Sequence, residues 1–312
     1  MTITQLEYVL AVEKFKHFGK AAKSCSVSQP TLSMQIQKME EDLNVIIFDR
    51  SKSPIMTTDI GKMIIEQARI IIKEYKKIYE VTKNNKDEVG GVFRLAVIPT
   101  ISPYLIPLFL KKFTQTFPHV ELIIEELTTS DIIKKLETDE IDAGILATPL
   151  KNNQLIERVL YYESFFLFTA KDSPYFLKQA VSEDALDSRG LWLLSEGHCL
   201  RDQVMRVCRL KKEKGSQVEF VSGNLETLKN LVLKHGGYTL LPELMVSDLS
   251  SEEKKQIKEI IPKAPAREVS LVHSRSYLKE NILNSLEEMI IATLPAGVKS
   301  MKTKEIKIIP IT

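Results

Sequence analysis

The chain has 312 residues, of which 44% are hydrophobic and 27% charged; this is a composition typical of a folded globular protein, and the length allows two or three domains. Its N-terminal segment lacks the basic-then-apolar order of a signal peptide and no apolar run approaches the roughly 18 residues of a membrane span, so we expect a cytoplasmic protein without membrane contact. Three cysteines argue against a framework of structural disulfides, and a formal net charge of +2 is too small to indicate nucleic-acid binding by itself.

The first three predicted elements are helices, marked by apolar residues at spacings of three and four. "LEYVLAVEKF" and "HFGKAAKSC" have the pattern of two short core-facing helices. "SVSQPTLSMQIQKMEEDLNV" predicts a third helix, with Ser28 as its N-cap and Pro30 in its first turn. Its apolar stripe consists of Leu32, Ile36, Met39 and Leu43.

The other face of this third helix is polar. It carries Thr31, Gln35 and Lys38, with Gln29 and Ser33 nearby. Such side chains at the start of an amphipathic helix suit hydrogen bonding to base edges in a DNA major groove, although they suit a solvated surface equally well.

Basic side chains lie near the same helix in the sequence. Lysines cluster in "EKFKHFGKAAK", and Arg50 and Lys52 follow in the short extended turn "FDRSKSP", where contacts to phosphates are expected. Residues 1–60 nevertheless balance their acidic and basic side chains, so a single copy of this segment would bind DNA weakly.

The order "LEYVLAV", "HFGKAA", "SVSQPTLSMQIQKME", "FDR" and "TTDIGK" closely resembles the winged helix-turn-helix of LysR-type transcriptional regulators. The resemblance implies an all-α winged helix-turn-helix domain over residues 1–58. It also implies a homodimer that assembles to a homotetramer on double-stranded promoter DNA, with RNA polymerase as a further partner. Position by position, it puts Gln29, Pro30, Thr31, Ser33 and Gln35 in the recognition helix and Arg50 in the wing.

Residues 59–87 are predicted to form one long linker helix, with Thr58 as its N-cap. The segment contains no proline, and its apolar stripe is made of Ile60, Ile64, Ala68, Ile71, Tyr75 and Ile78. At 1.5 Å per residue, some 26 helical residues extend for roughly 39 Å, too far for a small domain to cover alone. A dimer seam would cover it, and packing on the chain's own effector domain is the alternative. "NNKDEVGG" then indicates a polar hinge.

Beyond Gly91, short apolar runs alternate with amphipathic segments, a pattern typical of βα units around a mainly parallel sheet. One set runs from "VFRLAVIPT" to "IDAGILAT". A second set runs from "SFFLFTA" through "GLWLLSE", "QVEFVSGN" and "NLETLKNLVLKHG" to "GYTLLPE", before "REVSLVHS" and a closing helix. Two α/β subdomains are therefore predicted.

The family resemblance supplies the arrangement of these subdomains. It implies that residues 88–300 form an effector domain built like a periplasmic binding protein. The first subdomain would comprise 92–162 and 268–297, and the second 163–267. Residues 301–312 are expected to form a mobile tail, whose last apolar residues could dock on a neighbour.

Two of the three cysteines lie in "GHCLRDQVMRVC". On a continuous helix, Cys199 and Cys208 would lie on opposite faces and about 13 Å apart along the axis, whereas a disulfide needs Cα atoms within about 7 Å. Joining them would require the segment between them to unwind. Cys208 would share a helix face with Leu200, Val204 and Val207, which also fits a buried core cysteine.

Cys199 has a different setting, because it lies near a predicted helix start with His198, Arg201 and Asp202 close by. Helix amides and nearby cations favour a thiolate, whereas Asp202 opposes ionisation, and the sequence leaves that balance open. A metal site at His198 and Cys199 does not match zinc ligand spacings, so none is expected.

The cysteine segment, with "VIPTISPYL", "TFPHVELIIEELTTSD" and "NLETLKNLV", resembles the peroxide-sensing branch of the LysR-type family as far as about residue 275. The resemblance implies that Cys199 is the peroxidatic cysteine and Cys208 the resolving cysteine of an intramolecular disulfide, with no cofactor. The disulfide would force local refolding and so change the oligomer on DNA.

The same resemblance supplies the residues around the reactive sulfur. They are Thr100, Thr129, His198, Asp202 and Arg267. Arg201 is added to this pocket because it is a cation close to Cys199 in the sequence. Leu210 departs from the branch, which commonly has a polar glutamine there; the departure bears on proton transfer and reaction speed rather than on the cysteine pair.

These observations predict a hydrogen-peroxide-sensing transcriptional regulator of oxidative-stress genes rather than an enzyme. One alternative is a LysR-type regulator that responds to a small organic effector in the cleft between the subdomains, with incidental cysteines. Another is a thiol peroxidase or disulfide reductase, but the chain has no C-x-x-C motif and the recognition helix would be unexplained.

Overall fold

The structure is a computed structural model that describes residues 1–52, 54–83, 89–208, 223–274, 279–299 and 306–311. The chain forms two compact units, Met1–Asp87 and Glu88–Thr312. Most of the predicted hinge "NNKDEVGG", Leu210 and most of "QVEFVSGN" lie outside the described residues. Within the described ranges, no helix is both long and apolar enough to cross a membrane.

The first unit begins with the three predicted helices, α1 (Ile3–Phe15), α2 (Phe18–Ser24) and α3 (Gln29–Leu43). The Ser28 hydroxyl accepts a hydrogen bond from the backbone N–H of Thr31, which confirms the predicted N-cap. The α3 stripe is fully buried except at Leu43, which is 39% exposed because the helix ends there.

A small sheet follows these helices. It consists of β1 (Phe48–Asp49) and β2 (Met56–Thr57), which pair antiparallel. The expectation of an all-α domain is therefore wrong at the wing, where the turn that carries Arg50 and Lys52 is held between two short strands.

The long helix α4 (Asp59–Lys83) has 25 residues, and the Thr58 hydroxyl caps it by accepting from the N–H of Gly61 at 2.9 Å. Its first half packs on α1, with Ile65, Ala68 and Ile72 in the core of this unit. Ala68 was predicted in the seam stripe but faces that core instead. Among the α4 side chains that the structure describes, the exposed large apolar ones are Ile60, Met63, Ile70, Ile71 and Ile78.

The second unit contains nine strands among the described residues. They are β3 (Gly91–Val97), β4 (Val120–Glu126), β5 (Ala143–Thr148), β6 (Leu155–Thr169), β7 (Ala180–Ser182), β8 (Tyr238–Pro242), β9 (Ile257–Ile261), β10 (Ala264–Ser274) and β11 (Ile306–Ile308). Its helices in the same ranges are α5 (Ser102–Thr116), α6 (Thr129–Glu137), α7 (Cys199–Val207), α8 (Leu225–His235), α9 (Glu243–Asp248), α10 (Ser251–Lys254), α11 (Glu280–Thr293) and α12 (Ala296–Lys299).

The strands pair in the order β4-β3-β5-β10-β6-β9-β7, with β8 on β6 and β11 on β10. β3 is parallel to β4 and β5, whereas β10 is antiparallel to β5 and β6, and β6 is antiparallel to β8 and β9. The expectation of a mainly parallel sheet is therefore wrong. Helical crossovers join β3, β4 and β5 and impose parallel pairing on them, whereas β6 and β10 run back between the two halves and pair antiparallel.

β6 connects two lobes, because it changes partner along its length. Residues Leu155 to Ser164 pair with β10, and residues Phe165 to Thr169 pair with β8. This arrangement is periplasmic-binding-protein-like. "GLWLLSE" was expected to be a strand but forms only an isolated bridge from Leu191 to Tyr238. Beyond the bridge, the Trp192 carbonyl accepts a hydrogen bond from the Thr239 hydroxyl at 2.9 Å.

The expectation of a mobile tail is wrong for residues 306–311. β11 adds to β10 in parallel, and the Ile309 N–H donates to the Ala266 carbonyl at 2.8 Å. Ile306, Ile309 and Ile311 are buried, which gives these residues an apolar reason to dock on their own chain.

Candidate functional site

Both cysteines of the predicted pair lie at the ends of one helix. Cys199 is the first residue of α7, and Cys208 is its C-cap, whose N–H donates to the Val204 carbonyl at 2.9 Å. Both thiols are free. Because the helix is continuous, as predicted, the two Cα atoms lie about 13 Å apart along its axis, beyond the reach of a disulfide. Bonding the two sulfurs requires α7 to unwind.

The Cys199 sulfur contacts a hydroxyl from another helix. Thr129 Oγ1 lies 3.0 Å from Cys199 Sγ, and Thr129 is the first residue of α6. The N-termini of α6 and α7 therefore meet at this sulfur, where their backbone amides favour negative charge. When the sulfur is a thiolate, the Thr129 hydroxyl is placed to donate to it.

Opposing influences act on the ionisation of Cys199. Burial raises the pKa of this thiol, and the charge of Asp202 raises it further. The hydrogen bond from Thr129 and the positive charge of Arg267 lower the same pKa, but burial is the largest influence and the result is a pKa above the ordinary value. The balance that the sequence left open therefore favours the thiol in the reduced protein.

Arg267, on β10, is fully buried and holds Thr100. Its Nη1 donates to Thr100 Oγ1 at 2.9 Å, and its Nη2 donates to the Thr100 carbonyl at 3.1 Å. Thr100 follows β3 as Thr129 follows β4, and these parallel neighbours end at the same edge of the sheet. Three of the predicted pocket residues are thus connected to Cys199. Thr129 contacts its sulfur, Arg267 acts on it through its charge, and Thr100 is hydrogen-bonded to Arg267.

The remaining predicted pocket residues flank Cys199 in sequence. His198 is half-buried, and burial lowers the pKa of its imidazole, which favours the neutral ring at pH 7. Arg201 Nη1 donates to the Leu194 carbonyl at 2.6 Å, so the backbone rather than the sulfur engages this guanidinium. Asp202 is exposed and acts on Cys199 through its charge.

Sequence reasoning missed Glu163. Its Oε2 accepts from Arg267 Nε at 2.8 Å, and both side chains are only 1% exposed. The sequence does contain a signal, because Glu163 is the one charged residue in the apolar run "LYYESFFLF". A charged side chain is almost never fully buried without a partner, so a glutamate in a buried strand indicates a cation close by.

Cys208 is shielded while α7 is intact. It is 3% exposed and packs in the main hydrophobic core. Burial raises the pKa of this thiol to about 12, against a hydrogen bond with Tyr238 that lowers it. A thiol in this state is a poor nucleophile while the helix is intact.

In the first unit, α3 presents the polar face that the sequence predicts. Gln29, Pro30, Thr31 and Lys38 are exposed, and so is Lys52 in the wing turn. Gln35, by contrast, is half-buried rather than exposed. The Gln5 amide donates to its side-chain oxygen at 3.2 Å and to its carbonyl at 3.3 Å. Gln5, which sequence reasoning missed, therefore fixes the position of Gln35.

Arg50 connects the wing to α3. Its Nη1 donates to the Ser33 hydroxyl at 3.1 Å, and its Nη2 pairs with Glu40 Oε2 at 2.7 Å. The other Glu40 oxygen accepts from the backbone N–H groups of Ile47 and Phe48. Glu40 is thus a third residue that sequence reasoning missed, and it sets the orientation of the wing relative to the helix.

No group of three or more His, Cys, Asp or Glu side chains in the described ranges is arranged to hold a metal ion.

Comparisons with known proteins match both units. The family model described as the LysR substrate binding domain matches residues 86–294, and that described as the bacterial regulatory helix-turn-helix protein, lysR family, matches residues 3–62. The chain is 34% identical over 275 residues to the hydrogen peroxide-inducible genes activator of Haemophilus influenzae, covering 88% of this chain and 90% of that protein.

Two solved structures are similar over most of the chain. A full-length cysteine-to-aspartate variant of OxyR from Pseudomonas aeruginosa has a TM-score of 0.76 at 31% identity, covering 94% of this chain and 99% of that one. A cysteine variant of Corynebacterium glutamicum OxyR with bound H2O2 has a TM-score of 0.60 at 26% identity, covering 94% of this chain and 92% of that one.

Proposed function

The chain belongs to the LysR family of bacterial transcriptional regulators, and we propose that it is a hydrogen-peroxide sensor of the OxyR type whose signal is the oxidation of Cys199. The observation that carries the proposal is the contact of Cys199 with Thr129 at one end of a helix whose other end holds Cys208. One cysteine is placed to react, and the second is placed so that bonding to it changes the fold.

In the first step, the Cys199 thiolate attacks one oxygen of hydrogen peroxide. An S–O bond forms as the O–O bond breaks, the sulfur loses two electrons to become a sulfenic acid, and the second oxygen leaves as hydroxide and takes up a proton to give water. We propose that Thr129, which contacts the sulfur, donates to the thiolate. We assign to the Thr100 hydroxyl and the charge of Arg267, which are hydrogen-bonded to each other, the stabilisation of the negative charge that the departing oxygen gains.

In the second step, α7 unwinds and the Cys208 sulfur attacks the sulfenic acid. An S–S bond forms as the S–O bond of Cys199 breaks, and the leaving hydroxyl takes up the proton lost by the Cys208 thiol to give water. The reduced helix and the disulfide are mutually exclusive, so the oxidised effector domain must take a different local fold. We propose that this change alters how a homodimer or homotetramer engages its promoter and RNA polymerase.

Recognition of DNA belongs to the first unit. We propose that Gln29, Thr31 and Gln35 read base edges in the major groove, while Lys38, Arg50 and Lys52 contact phosphates. The exposed apolar face of α4 fits a dimer seam, which would present two copies of α3 to an inverted repeat. The protein would act in the reducing cytoplasm, as a regulator with no turnover of an external substrate.

Peptide mapping under non-reducing conditions after one equivalent of peroxide tests the proposal. We expect a bridge between the peptides that contain Cys199 and Cys208. Cys199→Ser should abolish the transcriptional response, because a hydroxyl is a poor peroxide nucleophile at neutral pH. Cys25→Ser is the matched control, since Cys25 lies in the first unit.

Free thiols after peroxide treatment, with full induction in Cys199→Ser, would overturn the proposal and favour a small organic effector. Cys208→Ser separates the two steps. It should still form the sulfenic acid but fail to lock the refolded segment, leaving a weaker response that is prone to over-oxidation.

A further inference from the structure

Two buried charges of opposite sign face each other across the strands that join the two lobes. Glu163 on β6 and Arg267 on β10 are direct partners in the antiparallel register, and their side chains pair at 2.7 Å. Because Arg267 also holds Thr100, the carboxylate of Glu163 is one residue removed from the reactive pocket.

The guanidinium of Arg267 is held from two sides. Glu163 Oε2 accepts from Nε and Nη2, which leaves Nη1 to face Thr100 Oγ1. A threonine hydroxyl has one hydrogen, so a Thr100 oxygen that accepts from Arg267 must donate its own hydrogen elsewhere. The direction of that hydrogen therefore depends on where Glu163 holds the guanidinium.

Glu163 is itself fixed at its other oxygen. Its Oε1 accepts from the backbone N–H of Leu244, at the start of α9, at 2.9 Å. The residue also lies next to the point where β6 exchanges β10 for β8. The carboxylate is thus anchored by a helix of one lobe while it orients an arginine that reaches the other.

We propose that Glu163 is a positioning residue for peroxide reduction: it aligns Arg267 so that the Thr100 hydroxyl donates towards the oxygen that leaves Cys199. This inference deepens the proposed function and rests on it. Glu163 then has a second effect. Its carboxylate partly neutralises the positive charge of Arg267, which otherwise lowers the pKa of Cys199.

Glu163→Gln separates these effects from a merely structural one. Whichever way the amide is turned, its NH2 group meets an N–H donor, either Arg267 or Leu244, so the alignment is lost. The guanidinium charge is then uncompensated, which lowers the pKa of Cys199. We expect alkylation of Cys199 by iodoacetamide at pH 7 to become faster, while oxidation by hydrogen peroxide becomes about tenfold slower per thiolate.

The measurements use the full-length chain with Cys208→Ser, so that oxidation stops at the sulfenic acid. The pH profile of iodoacetamide alkylation gives the pKa of Cys199, and stopped-flow oxidation gives the peroxide rate. Glu157→Gln is the matched control, since Glu157 lies on the same strand and accepts from the Leu150 N–H at 2.9 Å. It should change neither quantity.

Thr100→Val provides the decisive comparison. If Glu163 acts through Thr100, adding Glu163→Gln to Thr100→Val should slow the peroxide reaction per thiolate no further. Glu163→Asp covers the case in which the glutamine variant does not fold. It keeps the charge but withdraws the carboxylate from Arg267, so the peroxide rate should fall with little change in the Cys199 pKa.

Peroxide rates per thiolate equal to wild type in both Glu163 variants would overturn this inference, as would fully additive effects with Thr100→Val. If instead wild-type Cys199 reacted with peroxide no faster than glutathione does, the proposed function itself would fail. The two failures are therefore distinguishable.

Discussion

The packing of α7 should oppose formation of the Cys199–Cys208 disulfide. The free-energy cost of unwinding α7 should therefore appear in the midpoint potential of the disulfide/dithiol couple. Leu200, Val204 and Val207 are buried in the core of the effector unit. Exposing each costs about 1.5–3 kcal/mol, so unwinding the helix costs up to about 5–9 kcal/mol if none is reburied. For a two-electron couple, about 1.4 kcal/mol corresponds to 30 mV.

The cost makes the reduced form more stable, so the midpoint potential should be about 100–200 mV less negative than that of a structural disulfide, which is below about −300 mV. We therefore expect a value between roughly −200 and −100 mV. Equilibration in glutathione redox buffers, followed by alkylation and mass measurement, gives the midpoint. It should be accompanied by loss of hydrogen-exchange protection over residues 199–208 in the disulfide form.

Val204→Ala tests the physical reason. Removing about two buried methylene equivalents weakens the reduced helix by about 1.6 kcal/mol and should move the midpoint about 35 mV more negative. Arg206→Ala, at an exposed position of the same helix, should leave it unchanged. A wild-type midpoint below about −300 mV, or equal exchange protection in both forms, would refute the claim that α7 resists the disulfide.

Four further changes test other parts of the molecule. Asp202→Asn should lower the pKa of Cys199, because it removes a negative charge that opposes the thiolate. The rate of Cys199 oxidation by peroxide, measured by stopped-flow at pH 7, should rise about twofold. The gain should vanish at a pH where Cys199 is fully ionised in both the wild type and the variant. Ile71→Asp should weaken dimerisation, measured by light scattering, by several kcal/mol without loss of helix content, whereas Ile72→Asp should unfold the first unit because Ile72 is only 6% exposed. An unchanged Ile71→Asp dimer would remove this face from the interface. Thr31→Ala should cost about 1–3 kcal/mol at particular base pairs in fluorescence anisotropy, while Lys52→Ala should weaken all sequences alike; uniform losses in both would contradict the assigned reading face. Ile309→Ser should lower the Tm by about 4–8 °C through loss of roughly 2 kcal/mol of burial, and Ile308→Ser, 39% exposed, should not; equal melting of the two variants would contradict docking of the tail.

The local elements were predictable because they depend on neighbours in the sequence. The apolar spacing of Leu32, Ile36 and Met39, and the cap at Ser28, predict α3 as the structure has it. The nine-residue offset of the two cysteines likewise predicts that a helix keeps them apart.

The misassigned parts depend on partners distant in the chain. Whether β10 pairs parallel or antiparallel with β6 is decided by the path of the chain between the lobes, not by the hydropathy of either strand. The same holds for the tail. "IKIIP" has the hydropathy of a strand, but only the free edge at Ala264 to Ala266 gives it a partner.

The sequence by itself determined the family, the helix that separates Cys199 from Cys208, and the polar face of α3, because motifs and periodicity are local properties. Only the tertiary structure decided the electrostatics of the reactive sulfur. Asp202 lies only three residues from Cys199, but Thr129 and Arg267 act on the Cys199 thiol from other elements of the fold. Burial outweighs the effects of Thr129 and Arg267 and raises the pKa of Cys199. Glu163 acquires its role in the same way, because the register of two strands 104 residues apart places a buried carboxylate against a buried guanidinium.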